Sequence, residues 1–166
     1  MNEIAIIIPS RLDAERLPNK PLKLINNKEM ILHVYDAAYK ANIGKVFVAT
    51  PDQKISNLIK KNGGNAFITN HDHPTGTDRV YEVFSKYLNK KPDVIINLQG
   101  DMPNIDPKAI KTLAEHMKKG SCEIGTLASE LDLKTDAGDQ NVVKLVTLED
   151  IEINKFSKTL DFFRVS

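Results

Sequence analysis

The chain has a single cysteine, Cys122, so it cannot form an internal disulfide and suits a reducing compartment, which points to the cytoplasm. It also lacks a charge excess. Its 23 basic residues stand against 22 acidic ones, a formal net charge of +1, which removes any bulk electrostatic reason to expect nucleic acid or an anionic membrane as partner. Any anion site must therefore be local. No segment approaches the ~20 apolar residues that span a bilayer. The apolar run Ile4 to Ile8 is too short for a signal segment and has no basic flank. Internal repeats, low-complexity tracts and Pro/Ser-rich linkers are missing. So are three chemical signatures: Gly-x-x-x-x-Gly-Lys-Ser/Thr, a Gly-x-Gly-x-x-Gly after the first strand, and a Gly-x-Ser-x-Gly elbow. Their absence argues against a P-loop, a dinucleotide fingerprint and a serine hydrolase. His71-Asp72-His73 has metal-ligand residue types, but no further His or Cys cluster accompanies it, and zinc is disfavoured.

What remains is an ordinary globular composition, 41% hydrophobic and 27% charged over 166 residues, sized for one α/β domain. Short β-branched runs alternate with helix-period segments. Strands are predicted at Ile4–Pro9, Lys45–Thr50, Ala66–Thr69 and Asp93–Leu98, with two further strand-like stretches at Ile124–Leu131 and Val142–Thr147. Helices are predicted near Lys28–Asn42, after the N-cap candidate Asp52, over Thr77–Leu88, and over Pro107–Met117. Continuous apolar strands alternating with helices imply a mainly parallel sheet covered on both faces.

In such sheets ligands bind beyond the carboxyl ends of the strands. The loop after the first strand, Pro9 to Pro21, carries Arg11, Arg16 and Lys20, cations suited to phosphate oxygens. It reads equally well as a solvated loop whose cations pair with Asp13 and Glu15. After the fourth strand, Asn97-Leu98-Gln99-Gly100-Asp101-Met102-Pro103 combines a glycine that permits close backbone approach with a carboxylate placed to hold Mg²⁺, or forms a simple Gly-Asp turn. His73-Pro74-Thr75-Gly76-Thr77-Asp78-Arg79 opens a helix, where Thr75 and Thr77 are capping candidates.

Taken together, Pro9-x-Arg11-x4-Arg16-Leu17-Pro18-x-Lys20-Pro21, Gly76-Thr77-Asp78-Arg79, Asn97-x-Gln99-Gly100-Asp101-x-Pro103 and Asn141-x-Val143-Lys144 resemble, in order and spacing, the 3-deoxy-manno-octulosonate cytidylyltransferases. The resemblance implies a Rossmann-like nucleotide-diphospho-sugar transferase fold of class α/β, forming a single nucleotide-binding domain over residues 1–166. It implies CMP transfer from CTP to 3-deoxy-D-manno-octulosonate with release of pyrophosphate, for lipopolysaccharide synthesis in the cytoplasm, by a homodimer. Sialate as acceptor and a non-catalytic nucleotide-binding fragment are the alternatives. Arg11, Lys20 and Asp101 would be catalytic, with Asp101 binding Mg²⁺. Pro9, Ser10, Arg16, Gly76, Thr77, Arg79, Gln99, Gly100, Asn141 and Lys144 would contact substrate. The sequence departs from the family pattern at Ser10 (commonly Ala), Met102 (commonly Glu), Asp139-Gln140 (commonly Asn-Pro) and Lys158 (usually Arg). Family members extend further, and the C-terminal part is expected to be missing here, with sugar contacts, dimer contacts and a second metal carboxylate.

Overall fold

Apolar side chains at almost every position of Ile4–Pro9 leave neither face of that strand suited to water, and in the computed structural model all six of its residues are buried. The structure describes residues 3–13, 17–120, 122–132, 134–152 and 155–165. The chain forms two compact units, Met1–Gly125 and Thr126–Ser166.

The first unit holds the α/β architecture. Its central strands are β1 (Ile4–Pro9), β4 (Lys45–Thr50), β5 (Ala66–Ile68) and β6 (Val94–Asn97), in the spatial order β5-β4-β1-β6 with every pairing parallel. Alternation along β1 divides the core in two. Ile6 and Ile8 pack on one face with α1 (Met30–Lys40), α2 (Gln53–Lys61) and α4 (Pro107–Met117), through Ile31, Val34, Ile55, Ile59 and Ile110. Ala5 and Ile7 pack on the other face with Val80 and Val83, carried by α3 (Gly76–Glu82) and the π-helical turn Val83–Tyr87 that continues it. Helices thus cover both faces, as expected. From β1 the chain builds outward through β4 and β5 on one side, and β6 then joins the opposite side. The order reverses between β1 and β6, where such sheets open a crevice.

Some local features differ from the sequence expectation. The polar loop before α1 contains a small antiparallel hairpin, β2 (Leu24–Ile25) with β3 (Lys28–Glu29). Its two-residue turn, Asn26-Asn27, has φ of 49° and 62°, the left-handed conformation that asparagine tolerates and that a tight hairpin turn requires. The helix predicted over Thr77–Leu88 loosens into the π turn, whose late carbonyls at Phe84 and Ser85 accept from Lys91 Nζ at 2.5 and 2.9 Å.

The second unit is a hairpin, β7 (Lys144–Thr147) antiparallel to β8 (Thr159–Phe163), with a register irregularity between Val146 and Thr147. The strand expected over Ile124–Leu131 does not form: those residues are irregular and Ile124 is 89% exposed, and among the described residues no strand supplies ladder partners to them. β8, for which the sequence analysis predicts no strand, pairs across to β7.

Candidate active site

β1 and β6 run parallel and adjacent, so the loops that follow them emerge together. Gly100 brings them into contact. A Cβ there would stand 2.8 Å from the Pro9 carbonyl oxygen, a separation that no side chain tolerates without movement. Gly76, opening α3, packs nearly as closely: a Cβ would meet Pro9 Cγ at 3.2 Å and Gln99 Oε1 at 3.5 Å. The three motif segments therefore converge on the end of β1. Between them lies an open cleft of about 840 Å³. Pro9, Ser10, Arg11, Lys20, Gly76, Arg79, Gln99, Gly100 and Asp101 all line it. Thr77, an exposed residue, is not among the lining; its hydroxyl accepts from Asn97 Nδ2 (3.2 Å), whose side-chain oxygen accepts from Gln99 Nε2 (3.0 Å). Asp13, Leu17, Pro21, Met30 and Pro74 complete the lining. Sequence reasoning did not select these five as site residues: Asp13, Leu17 and Pro21 follow β1, Met30 opens α1 and Pro74 precedes α3.

The charges at the mouth are weakly committed. Lys20 Nζ donates to Asp101 Oδ2 at 2.8 Å, and the two side chains are 37% and 54% exposed. Ion pairs of such exposure contribute about 0–1 kcal/mol, so both groups are available to better partners at little cost. Arg11 is exposed and has no ion pair with any described residue. Asp13, one of the acids offered by the sequence as an internal counter-charge, faces His71 Nε2 at 3.0 Å instead. The loop is anchored from beneath by Asp52. Its carboxylate sits at the start of α2 but makes no hydrogen bond to that helix, and accepts from the Leu12 amide at 2.8 Å. The N-cap role expected of Asp52 is thus filled in position only.

Arg79 and Glu82 do different work. Arg79 is 2% exposed, and its guanidinium donates to Thr69 Oγ1 (2.6 Å), the Asn70 carbonyl (2.7 Å) and the His71 carbonyl (3.3 Å). Burial lowers its pKa first and the like charge of nearby Arg11 adds to this, against Asp52 and Glu82. Glu82 accepts from the Asn70 amide (2.8 Å) and Lys86 Nζ (3.0 Å) and lies 2.5 Å from His73 Nε2. Burial pushes its carboxyl upward, but those three partners more than offset this and hold it at about 2. The pair clamps the segment Thr69–His73, and Thr75 with Asp78 closes a capping box at the start of α3. The sequence reading expects Arg79 to contact substrate; it lines the cleft, and the sequence showed nothing of this clamp.

Arg16 lies outside the described residues. Asn141 and Lys144 belong to the second unit, where both fold about Asp139: Asn141 donates to its carboxylate through the backbone amide (2.7 Å) and Nδ2 (3.0 Å), and Lys144 Nζ donates to its carbonyl. Among the described residues no group of three or more His, Cys, Asp and Glu side chains gathers as a metal cage. The cleft does fit one kind of ion. Mg²⁺ keeps most of its waters and needs only one or two carboxylates beside substrate phosphates, and Asp101 offers one in a cleft rich in cationic side chains.

A family model described as cytidylyltransferase matches residues 5–164. The chain belongs to the cytidylyltransferase family. Within it, the chain is 42% identical over 142 residues to a 3-deoxy-manno-octulosonate cytidylyltransferase of Rhodospirillum centenum, covering 85% of this chain and 55% of that protein. It is 40% identical over 146 residues to the same-named protein of Nitrobacter winogradskyi, covering 87% and 58%. The chain thus spans a little over half the length of these curated relatives. Among solved structures it resembles a CMP:2-keto-3-deoxy-manno-octonic acid synthetase complexed with CTP, with a TM-score of 0.81 and 32% identity over 98% of this chain and 74% of the other. A nucleotidyl transferase of Methanothermobacter shares the fold at a TM-score of 0.60 and 18% identity, covering 70% of this chain and 58% of that one.

Proposed function

We propose that the cleft binds CTP and Mg²⁺ and that the protein transfers CMP to 3-deoxy-D-manno-octulosonate, releasing pyrophosphate. The observation that carries this is the convergence of Arg11, Lys20 and Asp101 at one cleft mouth, Lys20 and Asp101 being 81 positions apart and in direct contact. The names of the cytidylyltransferase relatives supply the acceptor.

The anomeric oxygen attacks the α-phosphorus, the bond to the β-phosphate breaks, pyrophosphate departs and the hydroxyl proton is released. Little covalent chemistry falls to the protein, whose part is positioning and charge neutralisation. Arg11 and Lys20 hold phosphate oxygens, Lys20 exchanging its weak partner Asp101 for a more highly charged one. Asp101 would hold the divalent cation, which would supply neutralisation of phosphate charge. Pro9, Gly76, Gln99 and Gly100 shape the floor, and Arg79 with Glu82 keeps the facing segment in place. We extend the proposal to a cytoplasmic homodimer acting toward lipopolysaccharide, with Arg16, Asn141 and Lys144 completing the substrate contacts. The near-neutral charge and the single cysteine support that setting, and no described helix is long and apolar enough to cross a membrane.

The test is pyrophosphate release with CTP, Mg²⁺ and a panel of acid sugars including 3-deoxy-D-manno-octulosonate and sialate, in a protein that carries this chain together with the further length its relatives have, using wild type and Asp101→Asn. The octulosonate is expected to turn over in preference to sialate. Asp101→Asn is expected to lose activity by on the order of a thousandfold, with its fold intact because the pair it breaks is exposed. Activity close to normal in a folded Asp101→Asn protein overturns the assignment.

A further inference from the structure

Two buried side-chain hydroxyls, those of Ser10 and Ser56, have no hydrogen-bond partner. Native proteins leave few such groups unmet, so each calls for a physical account. Ser56 is fully enclosed on the core side of α2, away from the cleft lining. Ser10 is different: it is 7% exposed, follows β1 directly and lines the cleft. Its backbone is fixed, since its amide donates to the Ala49 carbonyl at 2.9 Å, which leaves the hydroxyl as the unmet group. The backbone segments packed about it, at Pro9, Gly76 and Gly100, are uncharged. Ser10 Cβ lies 3.4 Å from where a side chain on Gly100 would begin, with Pro9 and Gly76 alongside, while Arg11, Lys20 and Asp101 supply the charge of the same cleft.

This division sorts a nucleotide. The phosphates are drawn to the cations, and the uncharged nucleoside, which carries its own hydrogen-bonding groups, is left with the floor. A serine hydroxyl donates and accepts, and rotation about one bond between staggered positions redirects it without moving the backbone. We propose that the Ser10 hydroxyl is a binding group for the nucleoside half of the bound nucleotide, meeting its hydrogen-bond partner only when the cleft is filled. The inference rests on the nucleotide reading above and assigns a side-chain role within it.

Ser10→Ala separates this role from a structural one, because removing an unmet buried hydroxyl does not weaken the free protein. Titration calorimetry with CTP and with inorganic triphosphate, each with Mg²⁺, is paired with thermal unfolding of the ligand-free chain. The expected result is a melting temperature unchanged or raised, CTP affinity lowered about 3- to 10-fold, and triphosphate affinity unchanged. Equal CTP affinity in both proteins overturns the proposal, as does an equal loss for triphosphate or a lowered melting temperature. If wild type binds triphosphate but gains nothing from the nucleoside, the inference fails while the phosphate site stands. If wild type binds neither, the nucleotide reading itself fails and takes the inference with it.

Discussion

Glu82 links the electrostatics of the fold to the shape of the cleft, and its depressed pKa makes that link measurable. The perturbation is Glu82→Gln, which keeps the size of the side chain and one carbonyl oxygen but removes the charge facing His73, Lys86 and the Arg79 guanidinium. Its carboxyl titrates at about 2 in the fold against 4.5 as reference. At ~1.36 kcal/mol per pKa unit, this is on the order of 3 kcal/mol of stability at neutral pH. The folded pKa lies below the unfolded one, so the contribution is fully present above the reference value and is lost as pH falls through the folded value. The gap in unfolding free energy between wild type and Glu82→Gln should therefore be about 2–3 kcal/mol at pH 7, some hydrogen bonding surviving in the amide, and should close toward pH 2. Urea unfolding at constant ionic strength from pH 7 to 2.5 measures it. A gap that stays constant with pH would show that Glu82 acts by packing alone and refute the charge argument. Because Glu82 holds the Asn70 amide beside the cleft, the same variant should also bind CTP more weakly at pH 7.

Arg11→Ala and Lys20→Ala should each weaken CTP by about 1.5–3 kcal/mol, the range for hydrogen bonds to charged groups, and leave cytidine binding nearly unchanged. Equal losses for nucleotide and nucleoside in titration calorimetry would point to a damaged loop. Gly100→Ala should destabilise the fold by about 1–3 kcal/mol, since its Cβ would press on the Pro9 carbonyl oxygen at 2.8 Å, and a normal melting temperature would contradict the close approach.

The sheet was legible because its strands are apolar on both sides. A run such as Ile4–Ile8 has no other soluble use than a buried strand, and the alternation with amphipathic helices dictates parallel pairing. The elements that escaped are those decided by contacts distant in the chain or by backbone geometry. Ile124–Leu131 has the residue types of a strand and no partner to pair with, whereas Thr159–Phe163 becomes a strand because Lys144–Thr147 lies across from it. The Asn26-Asn27 turn did carry a signal, two consecutive asparagines after the apolar pair Leu24-Ile25, masked by the polar loop around it.

The site was legible in position and not in division of labour. In sequence Arg11, Lys20 and Asp101 are expected to be catalytic and Arg79 to contact substrate, all four as charged residues of the motif segments. In the structure they separate by burial. A charge that is 2% exposed, as Arg79 is, must be met by the protein's own acceptors, and three oxygens of the segment Thr69–His71 meet it. Such a group shapes the wall and is not free to follow a ligand. Arg11 is exposed without an ion pair to any described residue, and Lys20 and Asp101 share one of low worth, so these three keep their interaction capacity for whatever enters. That contrast explains why the anion-binding strength of the cleft should rest on Arg11 and Lys20. Arg79→Lys, in turn, should fail mainly through the fold: an ammonium cannot reproduce the planar set of donors that spans Thr69, Asn70 and His71.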